Sequence, residues 1–337
     1  MKNVYLIMTL CILVTIPAGM SQQESSRPIV NLMIDVSGSS HPNEEQSAVQ
    51  RDNIANVYNT MIRDKIPSTW FLTQDVSSSQ LALYLTQLGL YGDIEFAIAG
   101  NHPDEKLSTM SYSEQLSILQ SSKRFASSAH VCGKNEKEIS GFKPTSFDQD
   151  QNTYRALDEM GMKYDAGFKS GILYAPGHEN DVWPYPIEGH DFYAVPISSC
   201  MISGKKVPLQ DSYFKENGLG ADQWYDALRS KFNETSEKKE PLVISLTTSI
   251  SGCGDYLSAF RDFIEYAKSE NAYFINTTQL VDMAGGEVNT APAITAKTTV
   301  SSKCSTCDQT KEEGSGSNTI SNETITISVD MYNTTIN

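Results

Sequence analysis

An acidic residue ends the first strongly apolar stretch of the chain. Residues 29–34 read IVNLMI, and Asp35 follows them directly. This run is too short and too rich in β-branched residues for a helix, so it predicts a buried strand. Parallel α/β proteins collect their chemistry at the carboxyl ends of strands, which makes Asp35 a candidate catalytic or binding carboxylate. The alternative is a structural role, because Asp also caps turns and helices.

Two further side chains with chemical potential follow predicted strands. His102 comes after the apolar run 94–99, and Lys143 comes after the short strand predicted over 139–142. An imidazole binds metals or transfers protons, and an ammonium group pairs with carboxylates. If the strands are parallel and adjacent, all three side chains lie at one edge of the sheet.

The elements that must position these residues alternate along the chain. Apolar patterns predict strands over 29–34, 68–73, 94–99, 139–142, 164–166, 192–197, 242–247 and 273–275. Helical spacing predicts helices over 48–63, 78–89, 111–126, 152–160, 222–232, 256–268 and 277–284. Such alternation indicates parallel, right-handed βα units. One barrel over residues 27–284 is a simpler solution than two doubly wound domains, because no linker interrupts it.

Four segments together resemble the polysaccharide deacetylases of the NodB-like type. They are the strand ending in Asp35, the segment 66–72 (IPSTWFL), the segment 95–102 (EFAIAGNH) and the segment 153–165 (TYRALDEMGMKYD). The resemblance implies a distorted (β/α) barrel of the polysaccharide-deacetylase type and the removal of acetyl groups from amino sugars. It also implies a divalent metal such as zinc, held by one Asp and two His, with a second Asp as general base and a His as general acid.

The chain departs from this pattern at the metal ligands. Asp35 matches the general base, but Val36 stands where the metal-binding Asp belongs. His102 matches one of the two His, and Lys106 stands at the position of the other. His102 is therefore the only matching candidate metal ligand, and one imidazole does not hold a catalytic metal.

The later motifs depart as well. Lys143–Pro144 replaces an Arg–Pro pair, and the strand 242–248 (LVISLTT) lacks the His that would act as general acid. Lys143 keeps a positive charge but lacks the bidentate fork of arginine. We expect Asp35, His102 and Lys143 to form a polar cleft, in which Asp35 and Lys143 are the candidate catalytic residues.

These departures favour a catalytically degenerate protein that binds glycan, with no cofactor. Trp183, Tyr185 and Tyr193 are candidates for stacking on sugar rings, although core packing also explains such aromatics. The expected partner is an acetylated amino-sugar glycan or a cell-envelope polysaccharide. One alternative is an active hydrolase that uses zinc to remove acetyl groups, and another is a purely structural surface protein.

A different class of site is also compatible with the first strand. Residues 35–39 spell DxSxS, a motif that binds magnesium through oxygen ligands in von Willebrand A-like adhesion domains. That hypothesis needs a later Thr and Asp, for which Thr145 and Asp165 are arbitrary candidates. It leaves the resemblances at 66–72 and 95–102 unexplained.

The ends of the chain predict export. Residues 1–20 have a basic start, an apolar core and small residues before a polar run, which is typical of a signal peptide. Residues 285–337 are rich in Ser, Thr and Asn and are interpreted as a linker and tail. We therefore expect a secreted or cell-surface protein without a membrane span in the mature chain.

Composition and cysteine content fit this interpretation. The formal net charge of −15 argues against binding to nucleic acid. Four N-glycosylation sequons are compatible with export: Asn233, Asn276, Asn322 and Asn333. The mature chain keeps five cysteines, so at least one has no intrachain partner.

Overall fold

The computed structural model describes residues 27–36, 43–77, 85, 94–128 and 138–286. The strands in this part of the chain are β1 (Ile29–Val36), β2 (Ser68–Leu72), β3 (Ile94–Ile98), β4 (Gly141–Phe142), β5 (Tyr164–Lys169), β6 (Tyr185–Pro186), β7 (Tyr193–Ile197), β8 (Ser199–Ile202), β9 (Lys205–Pro208), β10 (Pro241–Thr247) and β11 (Tyr273–Ile275). The helices are α1 (Glu44–Ile62), α2 (Tyr112–Ser128), α3 (Gln151–Glu159), α4 (Asp211–Glu216), α5 (Ala221–Lys238), α6 (Thr248–Ser251), α7 (Gly254–Ser269) and α8 (Thr277–Ala284).

The main sheet is largely parallel and curls into a distorted barrel. Its strand order is β10-β1-β2-β3-β4-β5-β7-β6, and β11 adds to the first half of β1. Only β6 runs antiparallel, alongside β7. Between β7 and β10 the gap is closed by hydrogen bonds of 3.0 Å from Ser198 N to Val243 O and of 2.9 Å from Val243 N to Ser198 Oγ. The fold class predicted from the sequence is confirmed.

Two apolar layers hold the barrel together, and alternation along each strand decides which layer a residue joins. Met33 packs inside the barrel with residues such as Phe71 and Val243. Ile34 and Val36 pack on the other face, between the sheet and its helices. Asp35 shares the face of Met33, so its side chain points into the barrel at the carboxyl end of β1.

The amino end of the barrel is closed by the start of α8. Thr277 N donates to Thr69 Oγ1 at 2.8 Å. The Glu95 carboxylate accepts hydrogen bonds from Thr278 N at 3.0 Å, Thr278 Oγ1 at 2.7 Å, Thr69 Oγ1 at 3.0 Å and Tyr164 Oη at 2.8 Å. These contacts fill the interior of the barrel at this end.

The pattern-based predictions located most of these elements within a few residues. They missed β6, the β8–β9 hairpin and the short helices α4 and α6, which are too short for a clear period. Of the helix predicted over 78–89, only Leu85 is described, and it is helical and buried. The predicted signal peptide and residues 287–337 of the predicted tail lie outside the described residues.

Two of the cysteines and the membrane prediction can be compared with the described residues. Cys200 and Cys253 are free thiols, whereas the other three mature cysteines lie outside the described part of the chain. Within that part, no helix combines the length and the apolar character needed to cross a bilayer.

Candidate functional site

An ion pair crosses the carboxyl end of the barrel, which we call the mouth. Lys143 Nζ contacts Asp35 Oδ2, and Ser245 Oγ donates to the same oxygen at 3.1 Å. The Lys143 side chain is 1% exposed and that of Asp35 is 20% exposed. A lysine this deeply buried needs a partner for its charge, so the two groups stabilise each other.

The barrel topology explains why these distant residues meet. Asp35 is in β1 and Lys143 follows β4, and β2 and β3 lie between them in the sheet. Lys143 N donates to Ile98 O at 3.0 Å, which continues the parallel ladder beyond β4. A Cβ added at Gly167 would lie 2.8 Å from the Pro144 ring, so glycine lets this loop pack against β5.

A second lysine stands beside the first, on the solvent side. Lys169 ends β5, is half-buried, and places Nζ 3.6 Å from the centre of the Phe147 ring. Lys143 Nζ lies 5.2 Å from the centre of the same ring. Burial, together with the neighbouring Lys143 ammonium, lowers the pKa of Lys169 to about 8.

Phe147 reaches this position through an unusual backbone conformation. Its φ is +57°, which is rare for a bulky residue. A hydrogen bond of 3.2 Å from Phe147 N to Pro144 O closes the turn. The turn therefore holds an aromatic face against both ammonium groups, where cation–π attraction stabilises them.

Two carboxyl groups of the barrel, Asp211 and Asp165, are fully buried. Burial raises the pKa of Asp211 to about 6, and the negative charge of Asp35 contributes to the shift. Asp211 Oδ2 accepts hydrogen bonds from Thr247 N at 2.8 Å and Ser251 Oγ at 2.7 Å. Burial also raises the pKa of Asp165 to about 7. Neither carboxyl group is exposed to a ligand.

His102 belongs to a separate polar group after β2 and β3. Its side chain is 55% exposed, and Nδ1 lies 4.0 Å from Oδ2 of Asp75, whose side chain is 1% exposed. Glu105 Oε2 accepts from Asn101 N at 2.9 Å, and burial raises the pKa of Glu105. Thr145 Oγ1 donates to His102 O at 3.3 Å, which ties this group to the loop after β4.

The residues present do not fit the three-ligand metal site that the resemblance implies. Within the described ranges, no three His, Cys, Asp or Glu side chains are arranged to hold a metal ion. Val36 packs in the outer apolar layer, and Lys106 is an exposed cation. Asp35 Oδ2 already contacts the Lys143 ammonium, which a divalent cation would have to displace.

The predicted sugar-stacking aromatics do not form one platform. The Tyr185 ring is 4% exposed and stacks on His178, with ring centres 3.9 Å apart. Tyr193 lies at the amino end of β7 and lines a cavity of about 190 Å³ beside Gly285, at the other end of the barrel from Asp35. Trp183 is partly buried against the interior apolar layer. The assignment of these aromatics to glycan binding stays a prediction.

The magnesium hypothesis gains no contact from the structure. Ser37 and Ser39 lie outside the described residues. Thr145 donates its hydroxyl to a backbone carbonyl, and Asp165 Oδ1 accepts from Gly167 N at 2.8 Å in a fully buried position. Nothing among these contacts indicates an oxygen-ligand site.

Sequence reasoning missed Lys169, Phe147 and Ser245 at the mouth. Lys169 lies at the carboxyl end of a strand, and Asp35 lies one residue before such an end. This position in the sequence could have identified Lys169 as a candidate site residue. The sequence carries no such indication for Phe147 and Ser245. The position of Phe147 depends on the turn after β4, and that of Ser245 depends on the pairing of β10 with β1.

Solved structures with a similar fold include carbohydrate-active and other hydrolytic proteins. A Mycobacterium smegmatis protein assigned to the polysaccharide deacetylases has a TM-score of 0.60 at 14% identity, and the match covers 82% of this chain and 96% of that one. A Pseudomonas aeruginosa PAO1 protein with the same assignment has a TM-score of 0.62 at 13% identity, covering 78% and 92%. Puue allantoinase has a TM-score of 0.61 at 15% identity, also covering 78% and 92%.

These similarities show a fold of the polysaccharide-deacetylase type. At such low identity the fold alone does not fix the chemistry, and one of the three structures is an allantoinase by name. No family model matches the chain. The search of curated proteins found no match either.

Proposed function

We propose that this chain is a secreted or cell-surface glycan-binding protein, a catalytically degenerate relative of the polysaccharide deacetylases that binds acetylated amino sugars without hydrolysing them. The observation that carries the proposal is the contact between Lys143 and Asp35. It places an ammonium group on the carboxylate that the resemblance identifies as the general base.

This contact argues against hydrolysis for a physical reason. A general base must accept a proton from the attacking water, and Oδ2 of Asp35 already accepts hydrogen bonds from the Lys143 ammonium and the Ser245 hydroxyl. Hydrolysis of this type also needs a metal that activates the water, and among the described residues no three His, Cys, Asp or Glu side chains are arranged to hold one. The Asp35 carboxylate, whose side chain is 20% exposed, can still accept hydrogen bonds from the hydroxyl or acetamido groups of a sugar, whereas Lys143 and Ser245 are buried.

The test measures binding and turnover on the same material. The purified chain is titrated with acetylated chitooligosaccharide in a calorimeter, and acetate release is followed with added zinc or cobalt. We expect measurable binding and no more acetate than an Asp35→Asn variant produces. Acetate release that depends on Asp35 would establish the active-hydrolase alternative. Retention in an envelope fraction without any glycan binding would favour the structural alternative.

A further inference from the structure

Two lysines, Lys143 and Lys169, lie at the mouth of a protein whose overall formal charge is −15. Of the carboxylates near Lys169, Asp35 is paired with Lys143, Asp211 is fully buried, and the exposed Glu216 acts on Lys169 from a longer distance. Lys169 is half-buried, and no carboxylate lies within 4.0 Å of its Nζ among the described residues. The Lys169 ammonium is therefore not held in a direct ion pair by any described residue and can pair with a carboxylate of a ligand.

The surface around Lys169 adds an apolar wall. Leu173 N and O both bond to the backbone of Lys169, at 2.9 Å and 2.8 Å, so the turn between them folds back over the end of β5. The exposed apolar side chains in and beside this turn are Ile172, Leu173, Tyr174 and Met201 of the neighbouring β8–β9 hairpin. Ser199 Oγ donates to Ser170 O at 2.7 Å and joins the hairpin to the turn.

A cation next to exposed apolar and aromatic surface suits a sugar that carries an acid group. The C–H face of a pyranose packs on aromatic and aliphatic side chains, and a ring carboxylate pairs with an ammonium group. Phe147 holds the Lys169 ammonium in place through the cation–π contact, so little freedom is lost when a ligand binds.

From this arrangement we propose that the glycan bound at the mouth carries carboxylate groups, and that Lys169 recognises one of them. The inference rests on the proposed glycan-binding function and specifies its ligand: an acetamido sugar alternating with a uronic acid, rather than a neutral homopolymer. Lys169 acts as a binding residue, and Lys143 stays paired with Asp35.

The experiment compares two hexasaccharides, one of N-acetylglucosamine alone and one of N-acetylglucosamine alternating with glucuronic acid. A methyl ester of the acidic hexasaccharide controls for shape. The protein is used as the natural chain, as Lys169→Met, which keeps an apolar stem over Phe147, and as Lys163→Met, which removes an exposed lysine before β5 at the other end of the barrel.

We expect the acidic hexasaccharide to bind at least ~10-fold more tightly than either neutral ligand, because a charge-assisted hydrogen bond contributes about that factor. Lys169→Met should abolish this preference and leave the weaker binding of the neutral hexasaccharide unchanged. Lys163→Met should change neither affinity.

A pH series adds a readout that a merely structural lysine would not give. The preference for the acidic hexasaccharide should fall between pH 7 and 9, as Lys169 loses its proton, while the neutral hexasaccharide binds equally throughout. The charged groups nearest Lys169 are Lys143, Glu216 on α4, and Lys206 on β9, whose Nζ lies beside Gly171. Asp165, whose pKa is about 7, also titrates close to this range, so an Asp165→Asn variant is included; it should keep the transition, which assigns it to Lys169.

The outcomes separate the two proposals. Equal binding of all three ligands, unaffected by Lys169→Met, would overturn the acidic-glycan inference and leave glycan binding standing. Absence of binding to every hexasaccharide would overturn both. Binding to anionic lipid vesicles through the same apolar surface, without any preference for the acidic hexasaccharide, would also overturn the inference.

Discussion

The Asp35–Lys143 pair makes each of its members sensitive to loss of the other. Lys143 is almost fully buried, and Asp35 has only Ser245 as a further side-chain partner among the described residues. When one partner of a buried pair is removed, the remaining charge loses its compensation, whereas removal of both charges leaves a neutral site. This asymmetry gives the pair a measurable signature.

We expect Lys143→Met to lower the free energy of unfolding by about 2–3 kcal/mol at pH 7. The double variant Asp35→Asn with Lys143→Met should be more stable than Lys143→Met alone, because no isolated carboxylate remains. Urea unfolding of the four proteins in a double-mutant cycle measures the coupling. Additive effects of the two substitutions would show that the charges do not interact.

Asp165 predicts a pH dependence of stability. Its pKa is raised from an ordinary 3.8 to about 7, so the folded protein holds this proton more tightly than the unfolded chain. The resulting stabilisation is complete below about pH 4 and is lost as the pH rises through 7. An Asp165→Asn variant cannot ionise, and its side-chain oxygen can still accept from Gly167 N.

The stability of Asp165→Asn relative to the unsubstituted protein should therefore increase between pH 4 and pH 8, by on the order of 4 kcal/mol. Chemical unfolding of both proteins at a series of pH values measures this difference. A difference that stays constant over the range would mean that Asp165 ionises normally in the folded state.

At the scale of elements, the start of α8 closes the amino end of the barrel, and the turn between β4 and β5 shapes the mouth. Glu95 accepts four hydrogen bonds and joins β2, β3 and β5 to the first turn of α8. Its negative charge also lies at the positive end of the helix dipole. At the other end, the turn holding Phe147 brings the two lysines together.

Glu95→Ala should destabilise the protein by about 3 kcal/mol, because it leaves the buried Tyr164 hydroxyl and a helix N–H group without their acceptor. Glu95→Gln keeps one oxygen acceptor and should be milder, at about 1 kcal/mol. Thermal and urea unfolding compare the variants. Glycan binding should survive in both, because Glu95 lies at the other end of the barrel from the mouth; loss of binding in the folded Gln variant would contradict this arrangement.

For the whole molecule, the formal net charge of −15 determines how a charged ligand is affected at long range. Net negative charge repels anionic polymers at long range, and this repulsion is screened at physiological salt. An acidic glycan must therefore be recognised at short range, in the partly desolvated mouth. Its affinity should change little with moderate salt compared with binding by an exposed basic patch.

Export is the prediction that concerns the entire chain. When the full sequence is expressed in a cell with a secretory pathway, we expect the protein in the medium or on the surface, with its first residue between Gly19 and Gln22. Mass spectrometry of the amino-terminal peptide measures the cleavage site. A cytoplasmic protein with an intact amino terminus would contradict the export proposal.

The sequence by itself determined the alternation of strands and helices, and with it the barrel. It also placed Asp35 and Lys143 next to strand ends, because the apolar periods that mark strands are local properties of the chain. The departures from the metal-binding pattern that the resemblance implies were visible in the sequence too, as Val36 and Lys106 occupy two of the motif positions.

Only the tertiary structure decided which side chains meet. The contact of Lys143 with Asp35 depends on strand order and on the curvature that brings β4 opposite β1. The exposure of Lys169 and the burial of Tyr185 depend on the turn after β5 and on β6. Contacts of this kind join residues far apart in the chain, and no local pattern of residue types encodes the distance between them.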